Sequence, residues 1–227
     1  MSSTQSVTGK GLPRGPHKLT RGEVVANQRQ RMLDAVPYAC MDRGYVNLTA
    51  EDIAARAGVS KRSFYENFRD VDQCFLTSYR AHVEVVVMAV GGAVAAAPDD
   101  WRERTRFGLR ALLRFFAKRP EVAQMAVVDV LAAGPAGVAE RDHGLGLMAM
   151  LLGDEAMEAA DGKALPLWQE VIAAAIQELI YREVSAGRAA QLEDTLPTML
   201  YLTLVARHGP AGAIRRSGLR AEGPTEP

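Results

Sequence analysis

Apolar residues along this chain recur at three- and four-residue spacing, and Gly or Pro interrupts them at intervals of about one helix length. Val, Ile and Thr seldom alternate with polar residues, and no Asn-Gly or Asp-Gly pair joins two alternating runs. The pattern predicts an all-α chain of about nine helices. The first spans about Thr20 to Arg43, with Val25, Met32, Leu33, Val36 and Cys40 on one side and Pro37 predicting a kink. Short helices follow at Thr49–Ala57 and Ser60–Phe68, then a long fourth helix from Val71 to about Ala96. Five more are predicted at Trp101–Arg119, Glu121–Ala133, Ala136–Leu152, Leu167–Ala186 and Gln191–Arg207. Residues 1–19 read as a flexible Gly/Pro/Ser-rich arm and 209–227 as a disordered tail without periodicity. Between them the chain divides into an N-terminal unit over 20–70 and a larger helical domain over 71–208.

Composition narrows this picture without changing it. At 227 residues, 48% hydrophobic and 24% charged, the chain is neither disordered, collagenous nor a disulfide-stapled mini-protein. Cys40 and Cys74 both fall in apolar helical patterns and read as free, buried thiols. The polar start carries no apolar signal segment, and the longest apolar run, Val85 to Ala97, falls short of the roughly 20 residues that span a bilayer. These features predict a cytoplasmic protein.

The chemistry concentrates between Leu48 and Phe68. Thr49 with Asp52 has the spacing of a capping box, an acid standing in for the usual Glu or Gln. Gly58 sits at the centre of a three-residue turn where positive φ is expected, and Ser60 is a favoured N-cap for the helix that follows. Two short helices joined in this way form a helix-turn-helix. On the second, Phe64 and Phe68 point inward, towards Ile53 and the first helix, while Lys61, Arg62, Ser63 and Tyr65 occupy the first turn or the outer face. Cations, hydroxyls and an amphipathic aromatic at the start of such a helix suit the major groove, where Arg reads guanine and short polar groups hold phosphates. An i,i+4 pair between Arg62 and Glu66 is the plainer alternative for those charges.

Charge placement favours the DNA reading. The formal net charge is zero, yet through Arg69 there are eleven Lys/Arg against six acids, a net of +5, balanced by −5 beyond. A basic N-terminal unit is the electrostatic footprint of phosphate binding.

The ordered set Gly44-Tyr45, Thr49, Ile53-Ala54, Ala57-Gly58-Val59-Ser60-Lys61, Phe64-Tyr65, Phe68 and Phe75 closely resembles the DNA-binding domain of the TetR family of bacterial transcriptional regulators, over residues 24–79. The resemblance implies a homodimer whose paired recognition helices enter successive major grooves of a palindromic operator. It assigns DNA contacts to Thr49, Ser60, Lys61, Arg62, Ser63 and Tyr65. One departure is Val71, where the family often carries a phosphate-binding Lys; Arg69 is the candidate substitute. The arm with Arg14, Lys18 and Arg21 either enters a minor groove or serves as a solubilising tail.

The resemblance further implies a C-terminal domain that dimerises through its last two helices and senses a small molecule between the fourth and eighth. Apolar stripes from Leu167 to Val184 and from Leu192 to Leu204 fit the first role. Candidate ligand-lining residues are Met88, Phe107, Phe115, Met125, Asp129, Met148, Trp168 and Tyr181. Asp129 stands out, since an acid within the apolar stretch 126–132 needs a partner when buried. No nucleotide-binding, serine-hydrolase or zinc-protease motif is present, and the four histidines are scattered, so neither an enzyme, a metal site nor a cofactor is expected. The expected function is a ligand-released TetR-like repressor. The alternative is a DNA-binding regulator whose C-terminal domain engages a protein partner and senses no ligand.

Overall fold

The computed structural model describes residues 20–151 and 168–218. The arm 1–19, the break predicted from Gly153 to Pro166 and the last nine residues of the tail lie outside the described residues. Among the described residues there are ten α-helices and no strand: α1 (Arg21–Arg43), α2 (Ala50–Ala57), α3 (Lys61–Asn67), α4 (Val71–Ala95), α5 (Trp101–Lys118), α6 (Pro120–Gln124), α7 (Val130–Ala132), α8 (Gly134–Leu151), α9 (Trp168–Ser185) and α10 (Leu196–Ser217). The count exceeds nine because a π-helical turn, Met125–Asp129, splits the helix expected over Glu121–Ala133.

Side-chain caps start most of the N-terminal helices. Thr20 and Glu23 close a full capping box on α1, Thr49 and Asp52 close one on α2, and Ser60, Asp70 and Asp100 cap α3, α4 and α5. Each cap satisfies backbone N–H groups that the helix cannot pair internally. α1 continues through the buried Pro37 as one helix.

Two expectations near the C-terminus need correction. Residues Ala189–Thr195 wind as a 3-10 helix, with the Thr195 hydroxyl donating to the Leu192 carbonyl at 2.6 Å, so the last α-helix begins at Leu196. The tail predicted from Gly209 is helical as far as Ser217. Gly209 makes a sharp bend (φ 64°, ψ 169°), and Pro210, whose fixed φ suits a helix start, lets the chain resume. Ala213, fully buried in the C-terminal core, anchors this last stretch.

Two apolar cores result. The N-terminal core gathers Met32, Val36, Ile53, Phe64, Phe68, Cys74 and Phe75 from α1 to α4, and both cysteines lie in it as free, buried thiols. Burial pushes both thiols up, Cys74 to about 12. The C-terminal core joins Val86 and Val90 of α4 to Leu109, Leu113 and Phe116 of α5, Ile176 and Ile180 of α9, and Leu200 and Leu204 of α10. α4 belongs to both. So does the segment after α5, since Met125 and Val130 complete the N-terminal core while Val122 and Val127 enter the C-terminal one.

Candidate functional site

The helix-turn-helix is built by local chemistry. Gly58 ends α2 in the left-handed region (φ 64°, ψ 39°), and its carbonyl accepts from Arg31 Nη2 at 3.2 Å. A Cβ there would lie 2.5 Å from that same Arg31 nitrogen, the movable end of a long side chain, so it is the left-handed backbone that requires glycine. Phe64 and Phe68, 0% and 2% exposed, anchor α3 on the Ile53 side. Arg29 stacks its guanidinium 4.3 Å from the Phe68 ring centroid and donates to the Asn67 carbonyl at 3.0 Å. Arg29 and Arg31 therefore position the reading helix. Sequence reasoning counted them only as charge.

The outward face carries the predicted DNA contacts. Tyr65 is 55% exposed, its ring edge-on to Phe64. Ser60 Oγ accepts from the Ser63 N–H at 3.0 Å, and the two hydroxyls lie 2.9 Å apart. Lys61 and Arg62 project into solvent, loosely tied to Glu51 at 3.9 Å and to Glu66 at 3.0 Å. The plainer alternative for Arg62, the i,i+4 pair with Glu66, is present, and an exposed pair of this kind holds the guanidinium only weakly. Thr49 Oγ1 donates to Asp52 Oδ2 at 2.5 Å, and that hydrogen bond holds the Asp52 carboxyl below the usual carboxylate range. Arg69 is turned to Asp70 at 2.6 Å, and the contact lowers the Asp70 carboxyl.

The larger domain holds a cavity between α4, α5, α8 and α9. It encloses about 930 Å³ of empty space, counting its open mouth. It is a narrow slot. Its α4 wall is Tyr79, Val83, Val86, Val90 and Val94, a helical stripe at spacings of three and four. At the 1.5 Å rise of an α-helix, this stripe is about 22 Å long. Across it stand Leu109 and Leu112 of α5, Met148 and Leu151 of α8, and Ala173, Ile176 and Ile180 of α9. Gly108 lets α5 approach α4, since a Cβ there would fall 2.9 Å from Val94. Polar groups are few: Arg104 and Thr105 of α5, His82 of α4, Arg141 of α8, and Gln177, which stands between Ile176 and Ile180 on α9. Burial keeps the His82 imidazole below its ordinary range, which favours the neutral ring.

Of the eight predicted ligand residues, only Met125 and Met148 line the slot. Met88, 67% exposed, faces nearly opposite Val86 on α4, and Phe107 is 37% exposed on the outer side of α5. Phe115, Trp168 and Tyr181 pack against the C-terminal core without reaching the slot. Asp129 also lies off it. Its Oδ1 accepts from the Tyr45 backbone N–H at 3.2 Å, a contact with the turn before α2, and its Oδ2 is buried without a hydrogen-bond partner. Burial raises its carboxyl to about 6. The missed residues were visible as the α4 stripe, but only the pairing with α5 and α9 gives that stripe a hollow side.

Among the described residues, no three His, Cys, Asp or Glu side chains are grouped as a metal would need, and no helix is long and apolar enough to cross a membrane.

Residues 40–77 match the family model of the bacterial regulatory proteins, tetR family. The HTH-type transcriptional activator FasR of Mycolicibacterium smegmatis is 29% identical over 115 residues, 51% of this chain and 52% of that protein, so the match spans about half the length of this curated relative. Among solved structures, the fatty acid degradation regulator FadR from Bacillus halodurans superposes with a TM-score of 0.67 at 16% identity, over 79% of this chain and 94% of that one. FadR from Bacillus subtilis, solved in complex with stearoyl-CoA, gives 0.65 at 13% identity, over 78% and 97%. A TetR-like regulator from Rhodococcus sp. RHA1 gives 0.56 at 22%, over 86% and 100%. At such identities these likenesses speak for the fold. Capped helices, a left-handed glycine turn and an outward cationic face agree with the family match over the same residues, so residues 40–77 carry the helix-turn-helix of the bacterial regulatory proteins, tetR family, within a fold shared with TetR-type regulators.

Proposed function

We propose that this protein is a cytoplasmic, homodimeric regulator that binds a palindromic operator and leaves it when a long, narrow apolar ligand fills the slot. The slot carries this reading. Its lining is almost entirely hydrocarbon, and its length suits an extended chain of roughly 16 to 18 carbons better than a compact ring system. The few polar groups of the lining suit a ligand that is mostly hydrocarbon with one polar head. The stearoyl-CoA complex of the Bacillus subtilis FadR supports the acyl-thioester class. The slot also favours a ligand over the protein-partner alternative, which needs no hollow.

On the DNA side, Thr49, Ser60, Lys61, Arg62, Ser63 and Tyr65 form the contact set, with Lys61 and Arg62 exchanging their glutamates for DNA. The domain limits proposed are 20–70 for the reading unit and from residue 71 onward for sensing and dimerisation. Much of the apolar stripe on α9 and α10 is used within the protomer; Val171, 56% exposed, and the partly covered Tyr201, Leu202 and Val205 are left to meet a partner. Operator selection from random DNA, followed by anisotropy titration with stearoyl-CoA, tests the reading. Binding of the probe with release of operator is the expected result, and Ala173→Leu, which fills the slot, abolishes both. Operator affinity unchanged at saturating probe overturns it. Transcript levels with and without the protein decide between repression and the activation named for the FasR relative.

A further inference from the structure

We propose that Asp129 is the positioning residue that holds the helix-turn-helix in register with the slot, by latching the Tyr45 backbone N–H, and that filling the slot works this latch through the turn Met125–Asp129. The ligand half rests on the reading of the slot given above; the positioning half does not.

Three observations converge. First, Met125, Ala126 and Val127 line the slot, and Asp129 ends the same five-residue turn. One end of the turn is cavity wall and the other grips the reading unit. The turn packs against α1, α4 and α9, so it touches both cores. Second, the turn is π-helical. Such turns hold one residue more than an α-helical turn, and reverting to α geometry swings the following side chains by about 100° around the axis. The Tyr45 N–H···Oδ1 bond, at 3.2 Å, is already at the long end of the normal range and cannot survive such a swing. Third, Asp129 is 5% exposed and its Oδ2 has no hydrogen-bond partner, so the carboxylate sits there at a cost that the Gln124 side chain relieves only in part. A group held at a cost is displaced more easily than one fully satisfied.

The receiving end is equally well placed. Gly44 turns the chain out of α1 with φ 70°, and Tyr45 opens the short 3-10 turn that leads to Thr49, the cap of α2. The Tyr45 hydroxyl donates to Asp72 at 2.8 Å, and its ring meets Phe75 at 4.5 Å between centroids. Tyr45 is therefore tied to α4 by its side chain and to the π-turn by its backbone. Loss of the backbone tie leaves the entry to α2 free to rotate about the side-chain contacts, and α3 follows α2.

The test uses the full chain and three variants. Asp129→Leu removes charge and acceptor with little change of shape, Asp129→Ala removes both with a cavity, and Asp129→Asn keeps an acceptor oxygen. Hydrogen exchange at the Tyr45 amide, operator anisotropy and stearoyl-CoA calorimetry are read on each. Expected are exchange at Tyr45 faster by about tenfold or more and operator affinity lower by about tenfold in the Leu and Ala variants. Their probe binding stays within about twofold of the parent, but the probe no longer changes their operator affinity. Asp129→Asn behaves as the parent. Unchanged Tyr45 exchange, or parental operator affinity in Asp129→Leu, overturns the latch. Should the parent bind no stearoyl-CoA, the ligand reading fails alone, and the exchange and affinity measurements still decide the positioning role.

Discussion

The two cores of this protein solve opposite problems. Around Phe64 and Phe68 the N-terminal unit is filled, and each of α1 to α4 starts on a side-chain cap. The C-terminal domain uses longer helices but leaves a hollow along α4, with Gly108 and Ala173 where larger side chains would close it. Under the function proposed above, the first would have to keep a few side chains in fixed positions, whereas the second would need a void and a wall that moves. Rigidity and emptiness are adjacent here, joined by α4 and by the π-turn.

The comparison breaks most severely at Phe64. Phe64→Ala should cost about 3–5 kcal/mol in urea unfolding, because the filled core cannot collapse around the loss. Should the cost be no larger than that of Val90→Ala on the slot wall, the two cores do not differ as described.

Asp129 gives the next effect, through pH. Its folded-state carboxyl, near 6, lies above the ordinary value of 3.8, so the folded protein holds that proton more tightly than the unfolded chain. The stabilising contribution is full below about pH 4 and lost as pH climbs through about 6, an upper limit of about 2–3 kcal/mol. Asp129→Asn removes this dependence. The buried His82, shifted downward, acts with the opposite sign, and subtracting the variant's profile from the parent's isolates the carboxylate. Neighbouring Cys40 stays neutral throughout this window. Parallel stability profiles for the two proteins between pH 4.5 and about 8 would contradict the burial of Asp129.

Arg62→Ala should weaken operator binding by roughly 1–3 kcal/mol and relax preference at one position. Thermal stability should barely change, because the pair with Glu66 is exposed. Equal losses on specific and random DNA would assign Arg62 to phosphate alone. The smallest effect is expected from Ala173→Leu, a gain of about 1 kcal/mol from filling the slot. A loss of more than that would mean that the hollow is too narrow for three added carbons.

The reading unit was legible in the sequence because its determinants are local. Thr49 to Asp52, Gly58, Ser60, and Phe64 to Phe68 each act within four residues, where spacing translates directly into geometry. The slot was not legible. Met88 and Val86 are two residues apart, yet one faces solvent and the other the cavity, and only the packing of α5 and α9 separates them. Large side chains drew attention, while a glycine and an alanine shaped the space. Asp129 was marked as an acid in need of a partner, but that partner, a backbone N–H 84 residues away, leaves no trace in a side-chain pattern. Nor does Met125–Asp129 differ in composition from an ordinary helical stretch.

The pairing of Lys61 with Glu51 and of Arg62 with Glu66 bears on how the protein meets DNA in different buffers. Each glutamate is a tethered counterion that travels with its cation. When a phosphate takes its place, the displaced carboxylate stays beside the duplex and recruits a cation from solution, offsetting part of the ion release that drives association. Affinity should therefore fall less steeply with added salt than the number of cations on the reading face implies, and replacing Glu51 and Glu66 by Gln should steepen it.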